Sequence, residues 1–152
     1  MSGGPQGPVD PAERAPQPID GGVRIGHVHL RTADIDRVRD FYVDVLGFDV
    51  MTAMRDVPGW GGTGDVLFVA AGGYHHHLGF NVWRGHNVPA VPADVVGLRH
   101  WTVVLEDAAQ VAAVAERVRA AGLEHEAAGG GLTVRDPWDI KVRFVAGADG
   151  PR

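Results

Sequence analysis

The chain has 152 residues, 45% of them hydrophobic and 22% charged, with a formal net charge of -5. That length predicts a single globular domain burying roughly two-thirds of its unfolded surface. Lys141 is the one lysine and no Lys/Arg stripe appears, which argues against a nucleic-acid partner. The lack of cysteine excludes disulfides and thiolate metal ligands. No apolar run approaches the ~20 residues of a membrane span, and the N-terminus lacks a signal-peptide core, so a cytoplasmic location is expected.

Residues 1–22 are rich in Pro, Gly and charge, with no apolar period. Such a segment cannot offset its ordering entropy by burial, and a disordered leader is expected. The domain is expected over 23–146, with 147–152 as a tail. Val23 to Leu30 alternates like a strand, and Thr32-Ala-Asp is a plausible helix cap. Ile35, Val38, Phe41, Tyr42, Val45 and Leu46 recur at helical spacing, and Gly47 is a natural stop. Strands are then predicted over Phe48 to Met54, Val66 to Ala70 and His75 to Trp83. The Gly-rich stretch from Pro58 to Gly64 lacks the Gly-Lys-Ser/Thr ending of a phosphate cradle and reads as a flexible loop that closes over a site.

A second unit begins at Gly97. Leu98 to Leu105 reads as a strand, and Asp107 caps a helix with Val111, Val114 and Val118 inward and Gly122 as its stop. Strands follow around Leu123 to Glu126, Leu132 to Arg135 and Ile140 to Ala146. Gly47 lies 20 residues after His27, and Gly122 lies 22 after His100. Both halves (about 23–83 and 97–146) therefore read βαβββ, and His27 and His100 are equivalent residues that such a duplication brings toward a shared axis.

His75, His76 and His77 stand consecutively in an apolar run ending Leu-Gly-Phe-Asn-Val-Trp. Imidazoles placed where Val or Ile would cost nothing point to a wet or metal-containing cavity. Alternation sets His75 and His77 on one face and His76 on the other. His29 shares a face with His27, as a partner or a cavity wall. His86 and His125 lie in polar, loop-like stretches and are expected to be exposed. Trp60, Trp83, Trp101 and Trp138 read as core or cavity wall, a lining that suits a planar ring.

The segments Ile-Gly-His-Val-His-Leu-Arg-Thr-Ala-Asp-Ile-Asp-Arg-Val-Arg-Asp-Phe-Tyr-Val-Asp-Val-Leu-Gly-Phe, Gly-Gly-Tyr-His-His-His-Leu-Gly-Phe-Asn-Val-Trp, Gly-Leu-Arg-His-Trp-Thr and Val-Arg-Asp-Pro-Trp-Asp carry a resemblance to a known family. The chain resembles the vicinal oxygen chelate superfamily of glyoxalase I, extradiol catechol dioxygenases and bleomycin-resistance proteins, and is most similar to the catechol 2,3-dioxygenase-like branch. The resemblance implies an α+β fold, two βαβββ modules forming a shared curved eight-stranded half-barrel with helices outside. It implies a small-molecule metalloenzyme of the extradiol type with His27 and His100 as ligands of Fe(II) or Mn(II), and no organic cofactor. Its acid/base is matched by His76 through the spacing from Gly79 and Phe80, with His75 and His77 left open to a shift of register. His29, His75, His77 and Arg143 are the candidate substrate-binding residues.

Two departures from the family pattern matter. Arg143 stands where the metal-binding carboxylate belongs, and Asp139 replaces a turn glycine. A guanidinium does not release its proton, and a like unit charge ~4 Å away costs about 4 kcal/mol at an effective dielectric of 20, more against a divalent ion. One alternative is a three-histidine site of His27, His100 and one of the triplet. Others are a metal-free binding protein of the bleomycin-resistance type, whose cavity holds an anionic or aromatic ligand, and a glyoxalase-type lyase or isomerase. The expected partner is a small molecule, aromatic or anionic, with no membrane. Pairing of the two halves within one chain, or by exchange in a homodimer, stays open.

Overall fold

The computed structural model describes residues 25–59, 62–86 and 88–147, so the expected leader, Trp60 and most of the tail lie outside the described residues. The elements are β1 (Val28–Arg31), helix α1 (Ile35–Val38) continuing as a π-helical segment (Arg39–Val45), β2 (Asp49–Gly59), β3 (Gly62–Ala70) and β4 (Leu78–Asn81). They are followed by β5 (His100–Leu105), α2 (Ala108–Ala120), β6 (His125–Ala128), β7 (Gly131–Arg135) and β8 (Lys141–Ala146). Two four-stranded sheets result, ordered β1-β4-β3-β2 and β5-β8-β7-β6. In each, the first and last strands pair in parallel and the others antiparallel. This is the expected α+β fold of two βαβββ units whose sheets do not close.

Local chemistry accounts for the helices. Asp34 caps α1 by accepting from the amides of Asp36 and Arg37, and Asp107 caps α2 through Gln110 N. The first helix widens to i→i+5 bonding, seen in Leu46 N to Phe41 O at 2.9 Å. Gly47 then turns the chain at φ 88°, a region costly for a residue with a Cβ. Arg117 of α2 donates to the carbonyls of Val45 and Leu46, satisfying the end of the first helix from the second module.

One continuous core lies between the helices and the inner faces of both sheets. Val38, Phe41, Tyr42, Leu67, Val69, Leu78 and Phe80 from the first module join Val111, Val114, Val118, Leu132, Val134, Val142 and Phe144 from the second. A buried polar link crosses it: Tyr42 Oη donates to Asp136 Oδ2 at 2.9 Å, and Asp136 Oδ1 accepts from the amides of Trp138 and Ile140. Burial, together with the neighbouring Asp136, keeps the Tyr42 phenol protonated as the donor.

Three local expectations are corrected. The triplet does not belong to a strand: β4 begins only at Leu78, because Gly72 and Gly73 turn the chain at positive φ and leave residues 75 and 77 in bends. The Pro58–Gly64 stretch is not an open lid, since Pro58 pairs with Thr63 and Gly59 with Gly62 at the tip of the β2–β3 hairpin. Its glycines permit close packing instead: a Cβ on Gly59 would sit 2.1 Å from the Trp83 ring. His125 is half-buried in β6 rather than exposed in a loop. Asp139 takes the turn conformation of the glycine it replaces, at φ 68°.

Candidate functional site

Alternation in β1 and β4 places Leu30, Leu78 and Phe80 in the core and His29, Gly79 and Asn81 on the face without helices. On that face the His27 and His76 rings lie 4.7 Å apart, and His76 also packs on Phe68 at 4.7 Å. His76 is thus the triplet member that joins His27. His75 abuts His76 from outside at 4.5 Å, whereas His77 turns back, accepting from Ala71 N at 3.2 Å through Nδ1. Partial desolvation, and then the neighbouring His75 and His27, hold the His76 pKa below the usual imidazole value.

His29 is fixed more tightly. Trp83 N donates to Asn81 Oδ1 at 3.3 Å, which turns the Asn81 amide nitrogen toward His29 Nε2 at 2.7 Å. An amide NH₂ only donates, so Nε2 accepts and the ring is neutral with its proton on Nδ1. Burial, reinforced by His27 and His76, lowers the His29 pKa and favours that neutral form. The ring stacks on Trp83 at 5.9 Å and occupies the space a Cβ would need at Gly79, 2.8 Å from Nδ1.

In the second sheet, Leu132, Val134, Val142 and Phe144 enter the core, leaving Thr133, Lys141 and Arg143 on the opposite face. Register aligns His100 with Lys141, and Thr102 with Arg143, Thr133 and Glu126 across neighbouring strands. A cavity of about 160 Å³ opens there, lined by His100, Glu126, Ala128, Thr133, Lys141 and Arg143. A larger cleft, about 560 Å³, lies beside β1, between it and the 88–93 segment, the start of β5 at His100 and the β7–β8 turn. Its apolar walls include Val28, Leu30, Leu98, Trp138 and Ile140, and its polar lining includes His29, Arg31, His100 and Lys141. His100 and Lys141 border both spaces, so cleft and cavity adjoin.

Two groupings therefore hold the sequence-derived candidates: His27, His29 and His76 on the first sheet, and His100 with Arg143 on the second. Sequence reasoning missed Asn81, Phe68, Lys141 and Thr133. Asn81 and Phe68 show no individual signal, whereas Lys141 and Thr133 follow from strict alternation with Arg143 once the strands are paired.

The sequence model of the Glyoxalase/Bleomycin resistance protein/Dioxygenase superfamily matches residues 24–144. The chain belongs to this superfamily. The catechol-2,3-dioxygenase of Bacillus subtilis (strain 168) is 43% identical over 113 residues, which are 74% of this chain but 37% of that enzyme. The chain thus spans little more than a third of its curated relative. Among solved structures, a glyoxylase/bleomycin resistance protein/dioxygenase domain from Frankia sp. EAN1pec superposes with a TM-score of 0.66 at 18% identity, covering 82% of this chain and 98% of that one. An antibiotic binding protein from Streptomyces sp. CB03234 superposes at 0.57 with 22% identity, covering 85% and 99%. At these identities the superpositions establish the fold.

The metal that the superamily's oxygenases imply can be tested against these side chains. Among the described residues, no three His, Asp or Glu side chains are arranged to hold an ion. His27 packs on His76, while His100 shares its cavity with one carboxylate, Glu126, and with Lys141 and Arg143, two cations that oppose a divalent ion. The described residues do not fit a two-histidine, one-carboxylate centre.

Proposed function

We propose that this superfamily member binds a small aromatic compound bearing acidic oxygens, a catechol or a related aromatic anion, in the cleft beside β1. The observation that carries the reading is the composition of that one 560 Å³ cleft, which joins apolar walls from both modules to His29, His100, Arg31 and Lys141. Its volume is that of a small-molecule site, and apolar walls with a few placed polar groups are the usual composition of one. The flat ring lies against Trp138, Leu30 and Ile140. The oxygens are met by the basic side chains Arg31 and Lys141 and by His100. The antibiotic binding protein among the structural relatives supports a binding reading.

A second reading is favoured by the 43% identity to a catechol-2,3-dioxygenase: a ring-cleaving enzyme with His76 as its acid/base. His76 packs between His27 and Phe68 on the helix-free face and is held toward its neutral, proton-accepting form, which supports that role. The two readings separate in one experiment, a catechol titration followed by tryptophan fluorescence with oxygen uptake recorded before and after Fe(II) addition. Saturable binding without oxygen uptake is the expected result. Iron-dependent oxygen consumption, depressed at least ~10²-fold by His76→Gln, would establish the second reading instead.

A further inference from the structure

We infer that the cavity on the helix-free face of the second sheet is an oxyanion pocket, in which Lys141, Arg143 and Thr133 hold a carboxylate- or phosphate-sized group. The inference deepens the proposed function, assigning the acidic substituent of the ligand a place beside the aromatic cleft. Lys141 and Arg143 alternate on β8 and so project from the same face about 7 Å apart. Thr133, opposite Arg143 on β7, brings a hydroxyl into the same row. Among the described residues, neither cation enters an ion pair, whereas Arg55, Arg119 and Arg135 each do. The cavity's 160 Å³ corresponds to about five waters of liquid volume, room for one small oxyanion with residual solvent.

Chemistry selects the ligand class. Guanidinium and ammonium donate but do not accept, so the group they hold must be an acceptor, and a planar carboxylate or a phosphate matches the guanidinium fork. Glu126 lines the same cavity and opposes an anion, which limits affinity in the unmodified protein and supplies a control of opposite sign. Because His100 and Lys141 border both spaces, an aromatic acid can set its ring in the cleft and its carboxylate in the pocket. A neutral-ring catechol fills the cleft alone.

The test uses the full chain at low, constant ionic strength, where surface charges are least screened. Inorganic phosphate is titrated first and followed by amide NMR shifts in β7 and β8. Saturable binding is expected, weakened at least tenfold by Arg143→Met and by Lys141→Met, and tightened severalfold by Glu126→Gln. All three side chains lie on the face away from the core, so the variants should fold. No saturable response, or a response that Arg143→Met leaves unchanged, would overturn the pocket. The second arm compares catechol with 3,4-dihydroxybenzoate. A preference for the acid that Arg143→Met abolishes supports the assignment. Equal affinity for both ligands would overturn the inference while leaving the cleft reading intact. Saturable phosphate binding with neither aromatic bound would overturn the cleft reading and leave the pocket.

Discussion

Tyr42→Phe tests the link that holds the two modules around the cleft. Tyr42 is fully buried, and its hydroxyl is the donor to Asp136 Oδ2 at 2.9 Å. Removing that hydroxyl leaves one buried carboxylate oxygen without this donor, while Oδ1 keeps the amides of Trp138 and Ile140. A hydrogen bond to a charged group contributes roughly 1.5–3 kcal/mol, so the variant should lose about 2 kcal/mol at neutral pH. For a domain of this size the melting temperature should fall by roughly 6–12 °C. The loss should shrink in acid. Burial raises the Asp136 pKa in the folded state, so this group's contribution falls as pH rises from the unfolded carboxylate range through the folded pKa. The Tyr42 bond acts against that rise, and without it Asp136 takes up its proton at higher pH and the variant gains more on acidification. Urea unfolding followed by tryptophan fluorescence reads the effect, since Trp101 stacks over Tyr42 at 6.4 Å. A loss under about 0.5 kcal/mol at pH 7, well below the value for a charged bond, would refute the reasoning. So would a loss that grows in acid.

Three further outcomes are expected. Burial and two neighbouring imidazoles lower the His29 pKa, so its stabilisation is complete above the unfolded value of about 6.5 and is lost as pH falls below it. His29→Gln should reduce the rise of the melting temperature between pH 5 and 6.5, leaving the part due to His76 and His77, and an unchanged slope would contradict this. Gly79→Ala sets a Cβ 2.8 Å from His29 Nδ1 and 3.0 Å from the Phe68 ring; the overpacking should cost about 1–3 kcal/mol in urea unfolding, and wild-type stability would show that the two rings yield freely. Arg143→Glu replaces a cation beside His100 with a carboxylate and should tighten Mn(II) at least tenfold by titration; no gain, with circular dichroism unchanged, would separate Arg143 from His100.

The fold was legible in the sequence because it is written redundantly. Two copies of one apolar pattern, each with an Asp cap and a glycine stop, specify βαβββ twice, and Val111, Val114 and Val118 take the inward positions that their spacing predicts. The histidine triplet reads as part of a strand because it runs directly into the apolar Leu-Gly-Phe-Asn segment that does form one. The turn at Gly72 and Gly73, not the propensity of the following residues, sets where β4 begins. Pro58 to Gly64 read as a loop because glycine is ordinarily poor in strands, yet here it makes room for the Trp83 ring. At the site, sequence singled out His27, His29, His76, His100 and Arg143 and already set the first three in one module and the last two in the other, but it gave no means of seeing which neighbours share their rows. Those neighbours depend on which side chains the paired strands bring together, and they are Phe68 and Asn81 beside the histidines of the first sheet and Thr133 and Lys141 beside Arg143 on the second.

The most direct measurement is a crystal structure of chelator-treated protein soaked with 4-nitrocatechol. The ring is predicted in the cleft beside β1, against Trp138 and Ile140, with its oxygens toward Arg31, His100 and Lys141 and no ion beside it. A ring seated instead on His27 and His76, and appearing only after Fe(II) is restored, would contradict it.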